Sequence, residues 1–216
     1  MKIALVCSAE IQDYAFLKQR LLAFPQRIAV DGGANHFYSM GLVPDLIIGD
    51  LDSIQPSLLE HFKGVPIQKF PEDKDHTDLE LAINAIDLPA ADQVVVFGAL
   101  GERLDHTLGN LTLLSRYPGK LSIESEKERC FVIDRFVELE MSPGQVLSLI
   151  PLNGPACDIT TTGLKWELNK GKLNKYFLGI SNEALGHRVA ISVGSGDLLC
   201  VIYQRSSISH ARSFQS

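Results

Sequence analysis

Apolar runs of strand length alternate with helix-length amphipathic segments only as far as Pro118, and beyond it the helices stop. In the first part "KIALVCS", "RIAVDGG", "DLIIGD", "VPIQKFP" and "QVVVFGA" read as strands. Between them "YAFLKQRLLAF", "ANHFYSMG", "QPSLLEHFK" and "TDLELAINAI" read as helices, and "RLDHTLGNLTLLSRY" follows the last strand as another. Near-continuous apolar strands interleaved with helices predict a mostly parallel sheet covered by helices on both faces. After Pro118, "KLSIES", "CFVIDRFVELEM", "QVLSLIPL", "CDITTTGLKWEL", "KLNKYFLGISN", "HRVAISVG" and "DLLCVIYQ" are strand-like, separated by Gly, Pro and Asn turn signals. That rhythm predicts an all-β sandwich. The expected organisation is an α/β unit over 1–120, a β-sandwich over 121–205 and a flexible tail over 206–216. The end, "RSSISHARSFQS", carries no hydrophobic pattern.

Composition narrows the function. With 216 residues, 45% of them hydrophobic, the chain can fill a substantial core. Twenty Lys+Arg against 26 Asp+Glu leave a net charge of -6, and no long basic run is present. A nucleic-acid or anionic-membrane surface is therefore not expected. No apolar stretch approaches the roughly 20 residues that span a bilayer. The apolar run from Ile3 to Cys7 is too short for a signal-peptide core and meets Glu10 and Asp13 at once, so it reads as the first strand. The cysteines, Cys7, Cys130, Cys157 and Cys200, are scattered without a C-x-x-C pair. A reduced, cytoplasmic setting is expected.

In an open parallel sheet, ligands bind outside the carboxyl ends of the strands. Asp31-Gly32-Gly33 follows "RIAV", Asp50 and Asp52 follow "LIIG", and Asp73, Lys74, Asp75, Thr77 and Asp78 follow "PIQKFPE". Arg103, Asp105 and His106 follow "VVVFGALG". Turn aspartates and helix caps account for any one of these clusters. Four successive strands delivering acids to one sheet edge need a different account. Crowded carboxylates repel one another unless a cation joins them, and hard oxygen ligands suit Mg²⁺ bridging carboxylates to phosphates. Glycines allow close backbone approach, and Lys74 and Arg103 balance phosphate charge. Thr77-Asp78-Leu79-Glu80 matches a capping box, so Thr77 reads as a helix N-cap, which is also where a helix can receive a phosphate. Neither a P-loop nor a G-x-G-x-x-G fingerprint occurs. The residues alone point to a Mg²⁺-nucleotide or phosphoryl-transfer site.

"DGGAN" (31–35), "PDLIIGDLDSI" (44–54), "DKDHTDLELAI" (73–83) and "GERLDHTLGN" (101–110) resemble the ordered motifs of the thiamine pyrophosphokinase family. "TTTGLKWEL" (160–168) and "ISN" (180–182) resemble its thiamine-side signature. Each motif is weak alone, but together they run in family order from Asp31 to about Val201. The resemblance implies a catalytic α/β domain, a β-sandwich and a homodimer with the active site at the subunit interface. It implies that ATP donates its pyrophosphoryl group to the hydroxyl of thiamine, giving thiamine diphosphate and AMP. Asp50, Asp52 and Asp78 match the family's metal-binding acids. Asp31, Gly32, Gly33, Lys74, Thr77, Arg103 and Asp105 fall on the ATP side. Trp166, the single tryptophan, matches the residue that stacks on thiamine and is supplied across the dimer, and Ser181 and Asn182 match the other thiamine-side motif. Asp52, Asp78, Arg103 and Asp105 are the expected catalytic residues, with Asp52, Asp78 or Asp105 the candidate base for the thiamine hydroxyl. His76, His106 and His187 have no metal-ligand spacing and receive no role.

Three departures from the family pattern bear on fine contacts. Lys74 stands where some members carry glutamine, Glu102 where glycine is common, and "GSGDLLCVIY" lacks a proline often seen near the last strand. Rival readings are a related diphosphokinase acting on a pterin alcohol and a non-catalytic thiamine- or nucleotide-binding regulator. A phosphohydrolase of the haloacid dehalogenase type is weaker, since its D-x-D belongs near the chain start. "TTTGLKW" favours thiamine over a pterin, and the intact acid set favours catalysis over regulation.

Overall fold

A computed structural model describes residues 1–71, 73, 75–101 and 103–204. Lys74, Glu102 and the tail expected over 206–216 lie outside the described residues. The α/β part alternates strands with helices in chain order. Strands β1 (Lys2–Val6), β2 (Gln26–Val30), β3 (Leu46–Gly49), β4 (Ile67–Lys69), β5 (Gln93–Phe97) and β6 (Leu121–Glu124) run parallel in the order β6-β5-β1-β2-β3-β4. Helices α1 (Tyr14–Leu21), α2 (Gly33–Ser39), α3 (Pro56–His61), α4 (Asp78–Ala85) and α5 (Leu104–Leu113) connect them.

Period-2 alternation in β1 divides the core between two faces. Ala4 and Val6 meet Leu17 and Leu21 of α1, Phe37 of α2 and Leu58 of α3. Ile3 and Leu5 join the opposite cluster, with Leu79, Ala82 and Ile83 of α4 and Leu113 of α5. Both faces are thus buried, which is why these strands read as continuous apolar runs. Each fully buried Leu, Ile or Phe contributes about 1.5–3 kcal/mol of transfer free energy. Local signals set the helix starts: Asp13 Oδ1 accepts from the Phe16 N–H at 2.9 Å, and Pro56 opens α3.

The later strands are β7 (Glu128–Ile133), β8 (Phe136–Glu140), β9 (Val146–Pro151), β10 (Ala156–Thr162), β11 (Gly171–Leu173), β12 (Gly179–Glu183), β13 (Arg188–Ser192) and β14 (Leu198–Tyr203). β7, β14, β9 and β12 extend the parallel sheet antiparallel beyond β6, making ten strands among the described residues. β11, β10, β13 and β8 form a separate antiparallel sheet. Between them lies one apolar cluster: Phe131, Leu147, Leu149 and Cys200 from the large sheet, and Leu139, Ile159, Leu173, Val189 and Ile191 from the small one. The architecture is therefore a mostly parallel sheet with helices followed by a C-terminal antiparallel sandwich. One sandwich layer is the continuation of the parallel sheet, because β6 pairs parallel with β5 and antiparallel with β7.

Candidate active site

The order in which the chain adds strands reverses at β1, whose neighbours are β2 on one side and β5 on the other. Such a reversal opens a crevice at the strand carboxyl ends. Here the Cys7 N–H donates to the Phe97 carbonyl at 2.8 Å and the Ala9 N–H to that of Gly98 at 3.0 Å. A cavity of about 470 Å³ opens there, lined by Cys7–Ala9, Asp31, Asp50, Asp52, Ser53, His76–Asp78, Gly98, Ala99, Gly101 and Arg103, among others.

Asp31, Asp50 and Asp78 each place a carboxylate oxygen within 4.8 Å of the others. Asp31 ends β2 in the left-handed region, at φ 45°, and its N–H donates to the Ile48 carbonyl at 2.7 Å. Gly49 permits that approach, since a Cβ there would stand 2.8 Å from the Asp31 Cβ. Asp31 is only 6% exposed, and its Oδ1 is buried without a hydrogen-bond partner. Burial raises its pKa; hydrogen bonds from Gly32 and Ser53 oppose this, and the nearby Asp78 and Asp50 charges reinforce it. A buried, unsatisfied carboxylate oxygen beside two more carboxylates is a donor set that suits a hard divalent cation.

Asp52 lines the same cavity but stands outside that trio. Its N–H donates to Asp50 Oδ1 at 3.3 Å and its own Oδ1 accepts from Ser53 Oγ at 2.8 Å, leaving it exposed. The two glycines after Asp31 have packing duties. A Cβ at Gly33 would fall 1.8 Å from the Val6 carbonyl oxygen, and one at Gly32 2.8 Å from the Ser8 Cβ. Thr77 caps α4 in the expected capping box, its Oγ1 accepting from the Glu80 N–H and donating to Glu80 Oε2, both at 3.2 Å. Burial works against ionisation of Glu80, yet the bonds from Thr77 and Arg116 keep its carboxyl below the usual range.

Arg103 lines the cavity, whereas Asp105 lines an adjoining groove of about 340 Å³ with Thr77, Glu80 and Arg116. The two form a bidentate pair, Nε to Oδ1 at 3.2 Å and Nη2 to Oδ2 at 2.6 Å. That pairing holds the Asp105 carboxyl down at about 2 and raises the guanidinium. His76 and His106, given no role from sequence, both line the cavity. Asn110 Nδ2 donates to the Ala99 carbonyl at 2.9 Å, and Thr107 Oγ1 bridges the Gly101 N–H and carbonyl, tying that loop to α5. Cys7, Ser8 and Ala9 were also missed, although they follow the rule applied to the other strands: they sit at the carboxyl end of β1. The Cys7 thiol is pushed up to about 12 by burial and then by Asp78 and Asp31, so it stays protonated.

None of Trp166, Ser181 and Asn182 lines this cavity. Trp166 is 56% exposed, with Lys165 Nζ 4.6 Å from its ring centroid. Buried Asn182 brackets it, accepting from the Trp166 N–H and donating to the Trp166 carbonyl. Ser181, at φ 60°, donates its N–H to Ser148 Oγ at 3.0 Å.

Residues 17–124 match the sequence model of the thiamin pyrophosphokinase catalytic domain, and 135–198 that of the family's vitamin B1 binding domain. The chain belongs to the thiamin pyrophosphokinase family. Thiamine pyrophosphokinase of Bacillus subtilis (strain 168) is 31% identical over 189 residues, covering 81% of this chain and 85% of the relative. Thiamine pyrophosphokinase 1 of Arabidopsis thaliana is 31% identical over 206 residues, covering 82% and 77%. The crystal structure of thiamin pyrophosphokinase from Geobacillus thermodenitrificans superposes with a TM-score of 0.84 at 25% identity, covering 96% of this chain and 99% of that one.

The family's two domain models divide the residues described above. The catalytic match contains the acid trio, Asp52 and the Arg103–Asp105 pair, and the vitamin B1 match contains Trp166, Ser181 and Asn182.

Proposed function

We propose that this family member transfers the pyrophosphoryl group of ATP to the hydroxyl of thiamine, giving thiamine diphosphate and AMP. The observation that carries the reading is the buried, unsatisfied oxygen of Asp31 facing two further carboxylates in the crevice of the catalytic half. Asp31, Asp50 and Asp78 would hold Mg²⁺. A cation held there would supply positive charge to offset the negative charge moving onto the AMP leaving group.

The chain's own groups supply the rest. Arg103 faces the phosphates from the rim, held in place by Asp105. Asp105, at about 2, is too weak a base for the thiamine hydroxyl. Asp78 belongs to the acid trio. Asp52, lining the cavity outside that trio, is left to orient the hydroxyl and receive its proton. Gly32 and Gly33 let the chain after Asp31 pack closely against Ser8 and Val6, and Lys74 and Thr77 complete the expected ATP side. In this reading, with the chain divided at about residue 120, ATP and the cation belong to the first half and thiamine to the second.

Trp166, Ser181 and Asn182 serve the cavity of a second copy in a homodimer. Support comes from the surface beside them: Tyr176, Phe177, Leu178, Ile180 and Leu185 are exposed on β12 and its flanking turns. Four free cysteines suit a cytoplasmic setting. No helix among the described residues is long and apolar enough to cross a membrane.

The test is to incubate the protein with Mg²⁺, ATP and thiamine and identify the products. AMP and thiamine diphosphate in equal amounts are expected. Release of ADP, or thiamine binding without nucleotide turnover, would sink the proposal.

A further inference from the structure

Asp78 is the first residue of α4, and the described residues just before it lie at the surface. Pro71, Asp73, Asp75, His76 and Thr77 are all exposed. What fixes the start of the helix is the capping box, and one further residue locks that box. Glu80 Oε2 accepts from both the Thr77 N–H at 3.1 Å and Thr77 Oγ1 at 3.2 Å. The other oxygen, Oε1, accepts from Arg116 Nη1 at 2.8 Å. Arg116 lies on the single turn Leu114–Arg116 that follows α5. That turn is itself tied to the sandwich, where Asn153 Nδ2 donates to Ser115 Oγ at 2.9 Å and to Asp197 Oδ2 at 2.8 Å.

We infer that Arg116 is a positioning residue for the cation site: through Glu80 and Thr77 it sets the first turn of α4, and with it the Asp78 carboxylate against Asp31 and Asp50. Where three carboxylates converge within 4.8 Å, the position of each backbone bears directly on how they meet a cation. Asp31 is fixed by its bond to β3. Asp78 stands on a helix end whose cap is closed by one carboxylate, and Arg116 decides where that carboxylate lies. Groups that orient metal ligands from a distance tune affinity in this way. The inference rests on the cation reading proposed above.

Binding of Mn²⁺ alone to the full chain, followed by loss of the free-ion electron paramagnetic resonance signal, tests both readings separately. The unaltered protein is expected to bind Mn²⁺, and Asp78→Asn to lose it. Arg116→Gln should weaken binding about threefold to tenfold, below the roughly 10–100-fold typical of outer-shell changes, because Arg116 is largely exposed. Arg116→Lys should recover part of the loss. Glu80→Gln should match Arg116→Gln, and the double variant should be no weaker than either alone, since both break one path. Thermal melts of each variant report folding independently. An unchanged Mn²⁺ affinity in folded Arg116→Gln, or strictly additive losses in the double variant, overturns the inference and leaves the cation reading standing. Absence of Mn²⁺ binding in the unaltered chain, or its survival in Asp78→Asn, overturns both.

Discussion

The side-chain amide of Asn182 closes on the Trp166 peptide, accepting from its N–H at 3.1 Å and donating to its carbonyl at 2.7 Å. Asn182 is 8% exposed while Trp166 is 56% exposed, so a buried residue aims an exposed ring. The same Asn182 oxygen also accepts from the Glu183 N–H at 2.9 Å, and Glu183 pairs with Lys165 on the indole face.

Asn182→Ala takes these partners from the Trp166 N–H and carbonyl in a part-buried site, at a cost of about 1 kcal/mol. The apparent KM for thiamine is expected to rise while that for ATP holds. Trp166 is the single tryptophan, so its emission reports the change directly. An unaltered spectrum with an unaltered thiamine KM would remove Asn182 from this role.

Two neighbouring aspartates should separate cation binding from turnover. Asp52 lies outside the acid trio, so Asp52→Asn is expected to keep Mn²⁺ affinity within about twofold of the unaltered chain. It should nevertheless lose at least about a hundredfold in kcat, the lower range for a general base. Asp50→Asn is expected to lose both. Equal loss of Mn²⁺ affinity in the two variants would place Asp52 among the ligands instead.

Much of this is legible in the sequence, for identifiable reasons. A strand buried on both faces has to be apolar throughout, so "LIIG" announced β3 and Asp50 announced its working end. The capping box over Thr77–Glu80 was equally readable, because both partners lie within one helical turn. What sequence could not give was the convergence of Asp31 with Asp50 and Asp78, which depends on the left-handed backbone at Asp31 and the room left by Gly49. The role of β6 was hidden similarly. "KLSIES" looks like any strand of the second half, and only pairing shows it joining β5 to β7. "KLNKYFLGISN" reads as one strand yet divides into β11 and β12 around a turn bridged from Asn174 to Phe177.

Gly33 illustrates a glycine kept for packing. Its Cβ position lies 1.8 Å from the Val6 carbonyl oxygen and 2.7 Å from the carbonyl carbon, both backbone atoms. Gly33→Ala must push α2 away from β1, at a cost of about 1–3 kcal/mol or more. A depressed thermal midpoint is expected even without ligands. A midpoint equal to that of the unaltered chain would show that α2 yields without cost.

His36 offers the pH-dependent case. Its Nε2 lies 3.1 Å from the Ala9 carbonyl and its Nδ1 2.8 Å from Tyr14 Oη, so the neutral ring donates to Ala9 and accepts from the tyrosine. Ala9 lines the cavity, so this ring braces its floor. Burial lowers the His36 pKa, against the pull of the Ala9 and Ser8 carbonyls. The unfolded chain, with an ordinary value of 6.5, then takes up the proton first. Stability from this group is therefore complete above about pH 6.5 and is lost as pH falls from there to the lowered folded value. His36→Asn is expected to cost about 1–2 kcal/mol at pH 7.5 through the broken bridge. The gap to the unaltered protein should narrow as pH falls toward 5.5, because only the unaltered chain carries the His36 penalty. Urea midpoints at pH 7.5, 6.5 and 5.5 measure it. A gap that stays constant on acidification would mean that His36 titrates alike in the folded and unfolded chains, and a widening one that folding raises its pKa instead; either outcome refutes the prediction.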